Sequence, residues 1–233
     1  MSKPKIVILT GAGISAESGI STFRDSGGLW EGYDINEVAT PEGWARNREL
    51  VLDFYNQRRK NVRESKPNAA HLALKKLEEK YNVVIITQNI DDLHERAGSS
   101  NIIHLHGEIM KARSSLNEHL LYDLGNKDIA IGDKCEKGYQ LRPHVVWFGE
   151  AVPMMDQAVA EASEADILIV IGTSMVVYPA AGLAHYVPYY IPKYIIDPNI
   201  PEGHNQQNLT KIAKKAGEGV PELVKKLLDN LEI

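Results

Sequence analysis

Four short apolar runs, Ile6–Thr10, Val83–Thr87, Ile167–Ile171 and Tyr194–Ile196, are rich in β-branched residues and almost free of polar ones. A strand with one wet face alternates apolar and polar residues, whereas a strand buried on both faces does not. These runs therefore belong inside a sheet covered on both sides. The segments between them read as helices. Asn68–Lys80 sets Ala and Leu at helical spacing against a Lys/Glu face. Met154–Glu164 and Pro221–Leu231 are similar, with Pro221 placed at a helix start, where its missing N–H costs least. Strands alternating with helices predict an α/β fold with a Rossmann-like, doubly wound parallel sheet.

Two stretches break that rhythm. Arg24–Lys66 holds a long amphipathic helix near Glu49–Glu64 but no clear strand, and Lys111–His144 is polar and weakly periodic. Both are expected to be insertions that build a smaller lobe. The expected division is 25–66 and 111–144 for the small lobe, and 1–24, 67–110 and 145–233 for the large one. Ligands favour the cleft between such lobes.

Composition narrows the function. The formal charge is −5, from 26 Lys and Arg against 31 Asp and Glu. Nucleic-acid binders usually carry a basic excess, so no nucleic acid is expected. No apolar run reaches the ~18 residues of a membrane helix, so no membrane partner is expected either. The single cysteine, Cys135, cannot form an intramolecular disulfide, and it suits a reducing compartment. Met1-Ser2-Lys3-Pro4 leads straight into the first strand and leaves no room for a signal peptide, so a cytoplasmic protein is expected.

The chemistry-bearing residues cluster where strands end. The first strand runs into Gly11-Ala12-Gly13-Ile14-Ser15-Ala16-Glu17-Ser18-Gly19, a loose dinucleotide fingerprint. Its glycines would let a pyrophosphate approach, and a following helix N-terminus would favour the anion. Alone, the same residues also fit a plain glycine turn. Thr22-Phe23-Arg24 follows, and Arg24 beside such a loop could reach a phosphate. The second strand ends in Gln88-Asn89-Ile90-Asp91-Asp92. Asn89 could cap a helix there, or Asn89 and Asp91 could face the ligand crevice at the strand's carboxyl end. His104 and His106 share one face of an extended segment. Two histidines are too few for a metal site. One of them as a general base fits better, and His106 is preferred because Gly107 beside it leaves room for a ligand.

In this order the motifs resemble the sirtuin family of NAD-dependent protein-lysine deacylases. The likeness runs from Gly11–Ile20 through Thr22-Phe23-Arg24, Gln88–Asp91, His106-Gly107, Val146-Trp147-Phe148-Gly149-Glu150 and Gly172-Thr173-Ser174. It looks most like the bacterial sirtuins that remove acidic acyl groups. The resemblance implies NAD as co-substrate and acylated lysine in proteins as the other substrate. It implies catalytic roles for His106, Asn89 and Asp91. It also implies a cofactor set of Gly11, Ala12, Gly13, Ser15, Glu17, Thr22, Phe23, Arg24, Trp30, Gln88, Ile90, Gly172, Thr173, Ser174 and Ala216, with Asp197 or Asn199 on the adenosine ribose. The implied reaction starts with attack of the acyl-lysine amide oxygen on the ribose carbon that bears nicotinamide. His106 then acts as base on a ribose hydroxyl, giving lysine, nicotinamide and acyl-ADP-ribose. Val146, Trp147, Phe148 and Gly149 would pair with the substrate backbone as an added strand.

Tyr55 and Arg58, three apart on the long helix, look like the Tyr-x-x-Arg pair of sirtuins acting on succinyl- and malonyl-lysine. Both can donate to a distal carboxylate; the plainer alternative is a surface ridge with an ordinary salt bridge. The chain departs from most sirtuins in its cysteines. Four normally hold a structural zinc; here the first falls near Ser114 and only Cys135 remains, so no zinc is expected. The same fold could instead serve an ADP-ribosyltransferase, an NAD hydrolase or a non-catalytic NAD sensor.

Overall fold

In the computed structural model, which describes residues 3–21, 29–30, 32–173, 180–200 and 208–229, the apolar runs form one parallel sheet. The strands in chain order are β1 (Lys5–Thr10), β2 (Leu29–Trp30), β3 (Tyr33–Asp34), β4 (Asn82–Thr87), β5 (Ile102–His104), β6 (Gly107–Ser114), β7 (Leu121–Asp123), β8 (Leu141–Val145), β9 (Ile167–Ile171), β10 (Lys193–Ile196) and β11 (Leu209–Ile212). The helices are α1 (Ile35–Val38), α2 (Pro41–Arg46), α3 (Arg48–Glu64), α4 (Ala69–Leu77), α5 (Leu93–Arg96), α6 (Met155–Ser163) and α7 (Ala216–Asp229).

The six-stranded sheet has the order β11-β10-β9-β1-β4-β5, and β1 is central because both its faces are apolar. Ile6 and Ile8 pack with Ile85 and Ile169 under α4 and α7. Val7 and Leu9 pack on the other face with Val84 and Val170 against α6. Chain order reverses between β1 and its neighbours β4 and β9, which opens a crevice beyond their carboxyl ends. The register brings Thr10 level with Thr87 and Ile171, and Thr87 level with His104.

The polar stretch is not irregular. β7-β6-β8 form an antiparallel sheet, and β2-β3 a two-stranded ribbon. A third apolar cluster joins α1–α3 to this sheet through Val51, Phe54, Ile109, Ala112 and Trp147. Polar clasps reinforce the join. The wholly buried Arg59 donates from Nε to the Ile109 carbonyl (2.8 Å) and from a terminal nitrogen to Asn56 Oδ1 (2.6 Å). The Asn56 side chain in turn bonds both backbone groups of Ile129. Arg113 and Arg142 converge on Glu150, and the Arg142 guanidinium lies 3.2 Å from the Trp147 ring centroid. Cys135 is buried, and its Sγ donates to Ser114 Oγ at 3.3 Å. One cysteine cannot supply a four-thiolate metal site.

Two expectations are corrected. Pro221 does not start the last helix, because α7 begins at Ala216 and carries Pro221 inside it. The proline removes the donor that would bond Gly217, at a point where the chain is still close to the helix end. Within the fingerprint the chain makes two 3-10 turns, Ala12–Ile14 and Ala16–Ser18, where a helix start was expected. Glycine-rich sequence disfavours a helix, and the Ser15 carbonyl accepts from both Ser18 and Ile20 instead. Among the described residues, no helix is long and apolar enough to cross a membrane.

Candidate active site

The carboxyl ends of β1, β4, β5 and β9 bring Gly11–Ser15, Gln88–Asp91, His104–His106 and Gly172–Thr173 to one edge. The first of these loops is fastened to the last. Gly11 N–H donates to Ile171 (3.0 Å), and Gly13 N–H to Gly172 (2.9 Å). A Cβ on Gly13 would stand 2.6 Å from Gly172 Cα. These glycines thus serve contact between two backbones, and their N–H groups are already committed. Ala12 sits between them, partly exposed.

Asn89 does not cap a helix. Asp92 holds the N-cap position of α5, and the Asn89 amide donates to the Gly11 carbonyl and Ser15 Oγ, each at 3.2 Å. Ser15 Oγ donates onward to Asp91 Oδ2 (3.0 Å), while Asp91 Oδ1 accepts from Leu93 N–H (3.1 Å). Asp91 is only 4% exposed. Burial pushes its carboxyl up from the usual range, and the Leu93 and Ser15 donors pull against that rise. A buried carboxylate held by two neutral donors is suited to a cationic guest. Gln88 reaches across the crevice to Thr173 Oγ1 (3.0 Å). The side chain of Ile90, partly buried, packs against the third apolar cluster.

His106 Nδ1 lies 2.9 Å from the Gln88 carbonyl. A carbonyl only accepts, so Nδ1 carries the hydrogen and Nε2 is left as the basic nitrogen. Burial lowers the imidazole's proton affinity, so Nε2 is unprotonated near neutral pH. The space at Gly107 is not ligand space. A Cβ there would sit 2.2 Å from the His144 carbonyl, and the residue has φ +81°, so glycine lets β6 turn in beside β8. His104 has different partners: Nδ1 meets the Asn89 carbonyl (3.2 Å) and Nε2 meets Glu95 (2.6 Å). Glu95, His104 and Glu108 approach one another, yet they close as Glu95–His104 and Glu108–Lys111 pairs.

The remaining expected residues fall as follows. The Glu17 carboxylate accepts from the Gly217 N–H (2.7 Å) and so docks the start of α7, where Ala216 is buried. Asp197 follows β10 at the same edge, buried, and accepts from the Asn199 N–H (2.8 Å); Asn199 is exposed. Tyr55 is fully buried, and its hydroxyl accepts from the Trp147 indole (3.1 Å). Arg58, also buried, lies 5.6 Å from the Phe54 ring. The Val146–Gly149 segment leaves β8 with its N–H groups partly used: Val146 donates to His106, Phe148 to Ala39, and Trp147 to Glu150. Phe148 is 48% exposed, and Gly149 turns at φ +90°. Thr22, Phe23, Arg24 and Ser174 lie outside the described residues, as does the side chain of Trp30.

Several supporting residues escaped sequence reasoning. Thr87 Oγ1 accepts from the Asn89 N–H, and Thr10 Oγ1 meets His94 Nε2 at 3.1 Å. A polar last residue on β1 and on β4 was the available signal. His71 accepts from the Asn68 N–H in a capping box, and its ring lies 4.9 Å from that of His94. The Asn-x-x-His spacing ahead of an apolar helix marks it.

Comparison with known proteins agrees with this geometry. The sequence model of the Sir2 family matches residues 11–179. An NAD-dependent protein deacylase of Bacteroides thetaiotaomicron is 53% identical over 228 residues, covering 96% of this chain and 97% of the relative. One from Helicobacter pylori is 53% identical over 224 residues, with 96% and 97% covered. A crystal structure of a Sir2 homologue with NAD superposes with TM-score 0.87 at 41% identity, covering 99% of this chain and 91% of that one. A mutant Sir2 homologue with ADP-ribose gives 0.88 at 40%, with 99% and 95% covered. On this identity over nearly its whole length, and on the strand-end architecture described above, the chain belongs to the Sir2 family.

Proposed function

We propose that the protein is an NAD-dependent protein-lysine deacylase whose chemistry runs in the β1/β4/β9 crevice. The observation that carries this reading is His106, whose Nδ1–H is tied to Gln88 so that Nε2 alone can take a proton. NAD supplies the electrophilic ribose carbon, the nicotinamide leaving group and the hydroxyl that takes up the acyl group. The residues present fit such a guest: a buried carboxylate at Asp91 and an amide at Asn89 stand beside a close-packed glycine loop. Asp91 and Asn89 orient the nicotinamide end; Gln88, Gly172 and Thr173 line the crossing point; Asp197 takes the adenosine ribose. Thr22, Phe23, Arg24 and Ser174 belong to the same set by their place in the motif.

The substrate is an acylated lysine on a protein, laid against Val146–Gly149. Because the N–H groups of 146–148 have partners, the peptide pairs mainly through this segment's carbonyls. The acyl group runs toward Tyr55 and Arg58. The Trp147 indole sets the phenol, and the buried guanidinium gives a succinyl or malonyl carboxylate a low-dielectric partner. We assign residues 25–66 and 111–144 to the small lobe and the rest to the large one, and place the protein in the cytoplasm, where its lone thiol stays reduced.

One peptide in acetyl-, succinyl- and unmodified-lysine forms, incubated with NAD, tests the reading. Acyl loss matched one-to-one by nicotinamide release is expected from both acylated forms. Nicotinamide release that ignores acylation would move the assignment to NAD hydrolysis or ADP-ribosyl transfer.

A further inference from the structure

We infer that His104 is a positioning residue: an imidazolium clamped between the Asn89 carbonyl and the Glu95 carboxylate, holding the Asn89–Asp91 loop for the nicotinamide step. The inference rests on the assignment of that loop to nicotinamide. Nδ1 lies 3.2 Å from the Asn89 carbonyl and Nε2 2.6 Å from Glu95 Oε1. Both partners are acceptors, so both ring nitrogens must carry hydrogen. The placement follows from the sheet. His104 ends β5 level with Thr87, the last residue of β4, so its ring reaches the loop that leaves β4. Two residues on, His106 holds the preceding carbonyl, Gln88. Consecutive carbonyls of one loop are thus pinned by two histidines of opposite character, one a neutral base and one a cation.

The charged surroundings support the cation. From α5 come Glu95 and His94, the latter kept neutral by burial. From β6 comes Glu108, itself paired with Lys111 at 2.8 Å. From the loop comes Asp91, whose carboxylate the His104 charge favours. Burial alone would lower the proton affinity of His104, but Glu95 and Glu108 hold it above the ordinary 6.5. The clamp is therefore closed below that raised value. It opens as pH rises through it, when the Nε2 lone pair comes to face a carboxylate. The loop then loosens, and Asp91 loses a favourable charge.

The test is the pH profile of kcat/KM for NAD in acyl-dependent nicotinamide release, with ADP-ribose binding measured in parallel. The wild type is expected to lose activity on the alkaline side. Glu95→Gln should move that limb to lower pH by about one unit. His104→Gln, which keeps a donor for Asn89, should abolish the limb, lower kcat/KM about tenfold at pH 7 and leave ADP-ribose affinity unchanged. A Glu95→Gln profile superimposable on wild type, or a limb retained in His104→Gln, would overturn the role. Asn89→Ala separates the two readings. If it stays active, the nicotinamide assignment falls and takes this inference with it. If it is inactive while the His104 and Glu95 profiles match wild type, the clamp alone is wrong.

Discussion

Ser15→Ala removes a single oxygen on which the side chains of both Asn89 and Asp91 depend. Ser15 Oγ donates to Asp91 Oδ2 at 3.0 Å and accepts from the Asn89 amide at 3.2 Å, all inside the protein. Losing a hydrogen bond to a charged group costs about 1.5–3 kcal/mol. Expressed fully in the nicotinamide step, that is about 10- to 150-fold in kcat/KM for NAD. The direction on pH also follows. Ser15 opposes the upward push of burial on Asp91, so without it the carboxyl holds its proton to higher pH and the acid side of the profile moves up. Stability should change less. The Asn89 amide keeps its bond to the Gly11 carbonyl, and a loss of about 1–2 kcal/mol lowers Tm by roughly 2–8 °C in a domain of this size. Ser18→Ala is the matched control. It deletes a hydroxyl from the same loop that accepts from Asn68 and does not touch Asp91. Initial rates of nicotinamide release at varied NAD and saturating acyl-peptide, with thermal melts alongside, decide the matter. Ser15→Ala within threefold of wild type, or Ser18→Ala equally impaired, would show that the Ser15 hydroxyl does not set Asn89 and Asp91.

Three further outcomes are expected. Arg58→Met should lower kcat/KM for a succinylated peptide by about tenfold to a few hundredfold while sparing the acetylated one, and equal loss on both would reject the carboxylate role. Gly13→Ala should destabilise the fold by about 1–3 kcal/mol or more, because its Cβ meets backbone rather than a flexible side chain; a urea midpoint equal to wild type would contradict this. His71 is held neutral by burial, with its pKa down at about 4 against an ordinary 6.5. The unfolded chain binds that proton more readily, so this stability is whole above pH 6.5 and fades as pH falls toward 4, by about 3 kcal/mol. Urea unfolding flat across that window would count against it.

The six-stranded sheet was legible because its signal is local. Strands buried on both faces leave continuous β-branched runs, and the ends of β4 and β9 fall within one residue of the apolar patterns that mark them. The β7-β6-β8 sheet was hidden because its strands bury few apolar residues. Glu108 and Lys111 pair along β6, Arg113 and Arg142 are spent on Glu150, and Pro143 sits within β8. Charge pairing and tertiary contact, which no periodicity reports, hold these segments extended. At the site, residue types were readable but partners were not. Gly11, Gly13 and Gly107 look like room for a ligand, yet in the fold they are room for a neighbouring backbone. His104 and His106 look alike in sequence; the approach of Glu95 and Glu108 favours a cation at one and leaves the other a base.

The proposed chemistry depends most on His106 Nε2 as the base for acyl transfer, set by the Gln88 carbonyl. The most direct measurement is acyl-lysine loss by His106→Ala beside its affinity for NAD. NAD binding is expected to stay within a few-fold of wild type and deacylation to fall by at least about a hundredfold, the usual contribution of a positioned general base. Deacylation close to wild type in a variant that still binds NAD would contradict it.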